Sequence, residues 1–126
     1  AAKAEREVAY HLERSSDLVI RLGDGTEESH ARMQAALETL WPWVGEMFRG
    51  DAVDADLADA GIAPAPESLR AEWDAVMGEI LQESTLIRPD SDFAQLGGKQ
   101  GRHTEHLGHL LAEMQFLQRA YPGATW

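Results

Sequence analysis

Cysteine is absent from the 126 residues. That excludes a disulfide framework and any cysteine-ligated zinc or iron–sulfur site. Basic residues are scarce: 11 Lys and Arg stand against 22 Asp and Glu, a formal charge of −11 with His neutral. Phosphate binding draws on clustered Lys and Arg, so nucleic acid is not an expected partner. An anionic membrane surface repels such a chain for the same reason. No apolar run approaches the ~18 residues of a membrane span. The alternation that marks strands is missing too, and no internal repeat or low-complexity tract is visible. What is present is 44% hydrophobic residues, enough for one domain with a modest core.

Four helical stretches account for most of the chain. The first runs from about Glu5 to Leu22, with Val8, Leu12, Ser15, Val19 and Leu22 at three- and four-residue spacing. Gly23 ends it, as expected of a left-handed cap, and Gly25 adds a second breaker. Asp24 or Thr26 caps the second helix, about Glu27 to Phe48, whose first turn sets Glu27 and Glu28 at the positive end of the dipole. Its stripe is His30, Met33, Leu37, Leu40, Trp41, Val44, Met47 and Phe48. Pro42 predicts a bend or short break near Leu40, since an interior proline costs about 3 kcal/mol. The short link makes these two helices antiparallel neighbours.

From Arg49 to Pro66 the chain is a connection, with one short helix around Val53–Ala60. Its Asp51, Asp54, Asp56 and Asp59 lack the glycine and terminal Glu of a calcium loop. The third helix spans about Pro66 to Ser84 on Leu69, Trp73, Val76, Ile80 and Leu81. After a Gly/Asp/Pro-rich stretch to Gly101, the fourth runs from His103 or Thr104 to Ala120. It carries Leu107, Leu110, Leu111, Met114 and Leu117. The Trp and Met residues sit at core spacing.

Three clusters invite chemistry. Glu27 and His30 are three apart on a helix and so share a face. In di-iron bundles two helices each supply such a pair and two others a single Glu, which Glu7 can provide. The chain holds one such pair where the set needs two, so a metal site requires a second chain or a further half. The plainer reading makes Glu27 a helix-start residue and His30 the edge of the core. His103, Glu105, His106 and His109 are spread around the fourth helix at 100° per residue, so no one ion meets all four. Gly97-Gly98-Lys99-Gln100-Gly101-Arg102 resembles a phosphate cradle without the Walker pattern. Coenzyme A touching Lys99 or Arg102 is the functional reading, a turn the structural one. No serine stands in a strand–turn–helix elbow, so no hydrolase triad can be argued.

The run from Gly97 to Trp126 resembles the end of the PaaC family, the structural subunit of ring 1,2-phenylacetyl-CoA epoxidases (phenylacetate-CoA oxygenases). Glu7 to Ser15, Arg21 to Thr26, Met33 to Leu37, Leu40–Trp41, Gly61 to Ala63 and Leu69 to Trp73 resemble it as well, so nearly the whole chain is covered. The resemblance implies an all-α, ferritin-like antiparallel helical bundle. This chain would be its C-terminal half, residues 1–126 forming a single helical domain. The start Ala1-Ala2-Lys3-Ala4, without an initiator Met or a signal-peptide core, fits truncation or processing. It also implies a non-catalytic subunit in phenylacetate degradation, in the cytoplasm, with no catalytic, cofactor or metal residues of its own. The di-iron centre would lie in a homologous catalytic subunit, alongside a small bridging subunit and an iron–sulfur flavin reductase. Helix faces left uncovered by the other half predict self-association. The alternative is a di-iron oxidase or oxygenase whose site is assembled between two chains through Glu7, Glu27 and His30. Pro42 is unusual for the family.

Overall fold

The computed structural model describes residues 2–91 and 93–125. Ala1, where the chain begins, and Trp126, which closes the C-terminal motif, lie outside the described residues, as does Asp92. Six α-helices make up the framework among the described residues: α1 (Ala2–Gly23), α2 (Glu27–Leu40), α3 (Ala52–Asp59), α4 (Arg70–Glu83), α5 (Glu105–Met114) and α6 (Phe116–Ala120). There is no strand among the described residues. The all-α class expected from the sequence is observed, and the arrangement is consistent with a ferritin-like bundle. Two compact units are distinguishable, Ala1–Gln95 and Leu96–Trp126.

In the first unit, α1 and α2 form a hairpin closed by Asp24, Gly25 and Thr26. Thr26 caps α2, its hydroxyl oxygen accepting the Ser29 N–H at 3.2 Å. Gly23 departs from expectation. It is absent from the left-handed glycines, and its value is close approach: a Cβ there would lie 2.6 Å from the Ser84 carbonyl oxygen and 2.7 Å from Ser84 Cβ. The C-terminal ends of α1 and α4 therefore meet. Trp73 at the start of α4 packs on Trp41 at the end of α2, with ring centroids 5.9 Å apart. Helix α4 thus runs antiparallel to α2.

Helix α2 stops at Leu40, and two 3₁₀ turns, Trp41–Trp43 and Gly45–Phe48, follow. Pro42 lacks the N–H that an α-helix would donate, and its ring crowds the preceding turn. The expected break is observed. The short helix expected at 53–60 is α3, started by a capping box between Asp51 and Asp54. Those carboxylates accept the backbone N–H groups of Val53, Asp54 and Asp51, which gives Asp51 and Asp54 a capping role. Pro66–Leu69 is a 3₁₀ turn leading into α4.

The core is small. Trp41, Leu81 and Leu86 are buried, with Val19, Met33, Leu37, Val44, Trp73 and Met77 packed around them. Expectation fails for part of each stripe. Val8 and Leu12 of α1, Leu40 beside the Pro42 break, and Met47 are exposed. Trp43 and Met114 are exposed as well, so not every Trp and Met is core. The second unit also differs from a continuous fourth helix. It breaks at Gln115 (φ −100°, ψ 4°), leaving α5 and the short α6.

Candidate functional site

At the α1–α2 junction, the His30 ring reaches back one turn. Its Nδ1 lies 2.8 Å from the Gly23 carbonyl oxygen and 3.4 Å from Thr85 Oγ1. A carbonyl only accepts, so Nδ1 carries the proton and donates it to Gly23. His30 thereby satisfies one of the carbonyls left open at the end of α1. A cavity of about 300 Å³ beside it is lined by Gly23, Asp24, Gly25, Thr26, Glu27, His30 and Thr85. Glu27 is exposed in the first turn of α2. Glu7 is exposed on α1, roughly four turns before Gly23. The structure therefore brings Glu27 and His30 to one junction and leaves Glu7 remote. Among the described residues no group of three or more His, Asp or Glu is placed to hold a metal ion. Among the described residues Glu7, Glu27 and His30 are therefore not gathered into one donor set.

Thr85 continues the junction. It is the one non-glycine described residue with positive φ (59°), just after Ser84, which is 0% exposed. The turn redirects the chain into an extended segment held against α2. The Gln34 amide grips Ile87 twice, accepting its N–H at 2.9 Å and donating to its carbonyl at 2.9 Å. Further on, the Gln95 N–H donates to the Pro42 carbonyl at 2.8 Å. Sequence reasoning missed Gln34 and Thr85. A glutamine on a helix flank carries no spacing signal for a clamp to a residue 53 positions away.

At the other end of α2 lies an arginine–aromatic cluster. Arg70 Nε donates to Asp74 Oδ2 at 2.8 Å, and an Arg88 terminal nitrogen to Oδ1 at 2.7 Å. Those hydrogen bonds, Arg70's above all, hold the Asp74 carboxyl below its ordinary value of 3.8 against the opposing pull of desolvation. The Arg70 guanidinium sits 4.9 Å over the Phe48 ring and that of Arg88 5.0 Å over Trp41. Beside them is a cavity of about 330 Å³ between Trp41, Phe48, Phe93, Arg49, Arg70 and Glu67. Sequence reasoning missed this cluster; the i,i+4 spacing of Arg70 and Asp74 is a signal that could have found that pair, whereas nothing in the spacing marks Arg88 as its third member.

In the second unit the Gly97–Arg102 loop closes on itself. Gly97 (φ 105°) and Gly101 (φ 82°) are left-handed. The Gly97 carbonyl accepts the N–H groups of Gln100 (3.0 Å) and Arg102 (2.8 Å), and the Gly98 carbonyl that of Gly101 (3.1 Å). A phosphate cradle turns such N–H groups outward; here these three are turned inward. His103, Glu105, His106 and His109 are all exposed.

The larger signal is apolar surface. Val8, Tyr10, Leu12 and Leu18 of α1 are 44–63% exposed. In the second unit Leu110, Met114, Phe116, Leu117 and Tyr121 are exposed as well. Faces of this kind serve contact between proteins.

A family model described as phenylacetic acid catabolic protein (PaaA/PaaC) matches residues 1–126. The chain belongs to that family. The C subunit of the 1,2-phenylacetyl-CoA epoxidase of Escherichia coli (strain K12) is 46% identical over 126 residues, covering 100% of this chain and 51% of that protein. The chain thus spans about half the length of the PaaA/PaaC relative it matches. No described helix is long and apolar enough to cross a membrane.

Proposed function

We propose that this chain acts in phenylacetate catabolism as part of a phenylacetyl-CoA epoxidase, as a non-catalytic subunit that supports a homologous di-iron catalytic subunit. The 46% identity to the Escherichia coli epoxidase protein along the whole chain carries this reading. One feature of the fold supports it. Helix α1 and the second unit carry exposed apolar residues suited to contact between subunits. The mechanism is then packing: the bundle buries helix faces against the catalytic subunit and holds its geometry, with the cytoplasm as the place of assembly. A small bridging subunit and an iron–sulfur flavin reductase complete the proposed system.

Iron per chain, measured by elemental analysis on the full-length subunit purified from iron-supplemented cells, tests this. We expect iron well below one per chain, and no change with Glu27→Ala. Iron near two per chain, lost in Glu27→Ala, overturns the reading in favour of a site that this chain helps to build.

A further inference from the structure

The cavity of about 330 Å³ at the Trp41 end of α2 is walled entirely by the first unit, so its shape is set there. One side is the pair of 3₁₀ turns, with Trp41, Val44 and Phe48. The other is the extended segment after α4, with Ser91, Phe93 and Ala94. The two sides meet at Gly45, where a Cβ would stand 2.7 Å from Ala94 Cβ. Phe93 is 61% exposed, so its ring is held on the cavity wall and outside the core. Two cations, Arg49 and Arg70, stand on the wall against one acid, Glu67. Glu67 Oε1 already accepts the Gly50 N–H at 2.6 Å.

Arg70 is oriented but not saturated. Its Nε donates to Asp74 at 2.8 Å, and its terminal nitrogens make no hydrogen bond among the described residues. The guanidinium carbon lies 4.9 Å from the Phe48 ring centroid and 5.8 Å from that of Trp73. A planar fork held in place this way matches a carboxylate, and little freedom is left to lose on binding. Ser91 Oγ accepts the Phe93 N–H at 3.2 Å, which leaves its own O–H to donate. We infer that this cavity binds a small aromatic carboxylate, its ring against Phe93 and the Trp41–Phe48 wall and its carboxylate on Arg70 and Ser91. Aromatic walls favour a flat ring, and donors with open positions call for a group that only accepts. The volume lies at the low end of ligand pockets, about 300–1,000 Å³, which suits an acid of one ring. The inference goes beyond the proposed role as a supporting subunit and does not depend on it.

Calorimetric titration of the full-length subunit with phenylacetate and benzoate tests this. Cyclohexylacetate, 2-phenylethanol and inorganic phosphate serve as comparators. Saturable binding of one acid per chain is expected, several-fold weaker for cyclohexylacetate and about tenfold or more weaker for 2-phenylethanol. Arg70→Gln should weaken binding of the acids by about tenfold or more. Phe93→Ala should weaken it several-fold with the melting temperature unchanged, because the ring is already exposed. That second variant decides the matter if Arg70→Gln, which also releases Asp74, fails to fold. No binding of either acid to the wild-type chain overturns the inference. Unchanged affinity in Phe93→Ala overturns it too, since the acid then sits elsewhere. Phosphate or cyclohexylacetate binding as tightly as the aromatic acids overturns the ligand class. None of these outcomes alters iron content or assembly with a catalytic subunit, so the supporting-subunit reading stands or falls separately.

Discussion

Gly23 and Gly78 occupy helices for opposite reasons. At Gly23 a Cβ would stand 2.6 Å from the backbone oxygen of Ser84, and at Gly78 it would meet nothing within 4 Å. Gly23→Ala therefore has to push α1 from α4, and a loss of about 1–3 kcal/mol is expected. Gly78→Ala, in the middle of α4, is expected to stabilise by about 0.5–1 kcal/mol through reduced backbone entropy in the unfolded chain. Thermal denaturation of the two variants should shift in opposite directions. Asp74 makes a pH-dependent prediction. Its carboxyl is lowered first by the Arg70 hydrogen bond, against desolvation, and further by Arg88. A depressed carboxylate adds stability that is complete above its ordinary value of 3.8 and is lost as pH falls through its own lower value. Asp74→Asn should thus be less stable than wild type at neutral pH, and the gap should close on acidification in a denaturant series.

Among the elements, the least regular one depends most on individual bonds. The extended segment after α4 leaves Ser84 through the left-handed Thr85 and is fastened by the two Gln34 bonds to Ile87 and by Gln95 to Pro42. Gln34→Ala should raise the hydrogen-exchange rate at the Ile87 amide while amides inside α2 keep theirs. Exchange at Ile87 equal to wild type would show that the segment is held by the burial of Leu86 instead. Such cross-chain fastenings are invisible to spacing rules. The break at Pro42 and the cap at Thr26 were legible, because each rests on a residue and its neighbours within one turn, whereas the cap at Asp51 went unread inside its acidic run. The interruption at Gln115 was not legible either, since no proline or glycine marks it.

At the scale of the whole molecule, three buried apolar residues coexist with twenty large exposed ones among the described residues. Some exposed apolar side chains are ordinary, but here several share one helix face. In the isolated chain these faces are expected to pair weakly, giving open-ended self-association. A charge of −11 opposes that pairing, so added salt should strengthen it. Sedimentation velocity across a concentration series, at low and high salt, checks this. A single monomer peak at all concentrations would count against it.

Most helix positions, the Thr26 cap, the proline break and the family resemblance were set by local pattern, since helix periodicity and capping act within a few residues of one another. The resemblance to an epoxidase protein was likewise carried by runs of residues. Tertiary structure alone decided which stripes are core: Val19 packs inward while Val8 and Leu12 on the same helix do not. It decided that Gly23 serves close packing, that His30 holds a backbone carbonyl, and that Glu7 stands apart from Glu27. The physical reason is common to all four. Burial and side-chain partnership depend on which surface arrives from elsewhere in the chain, and periodicity on one helix records only that a face is apolar.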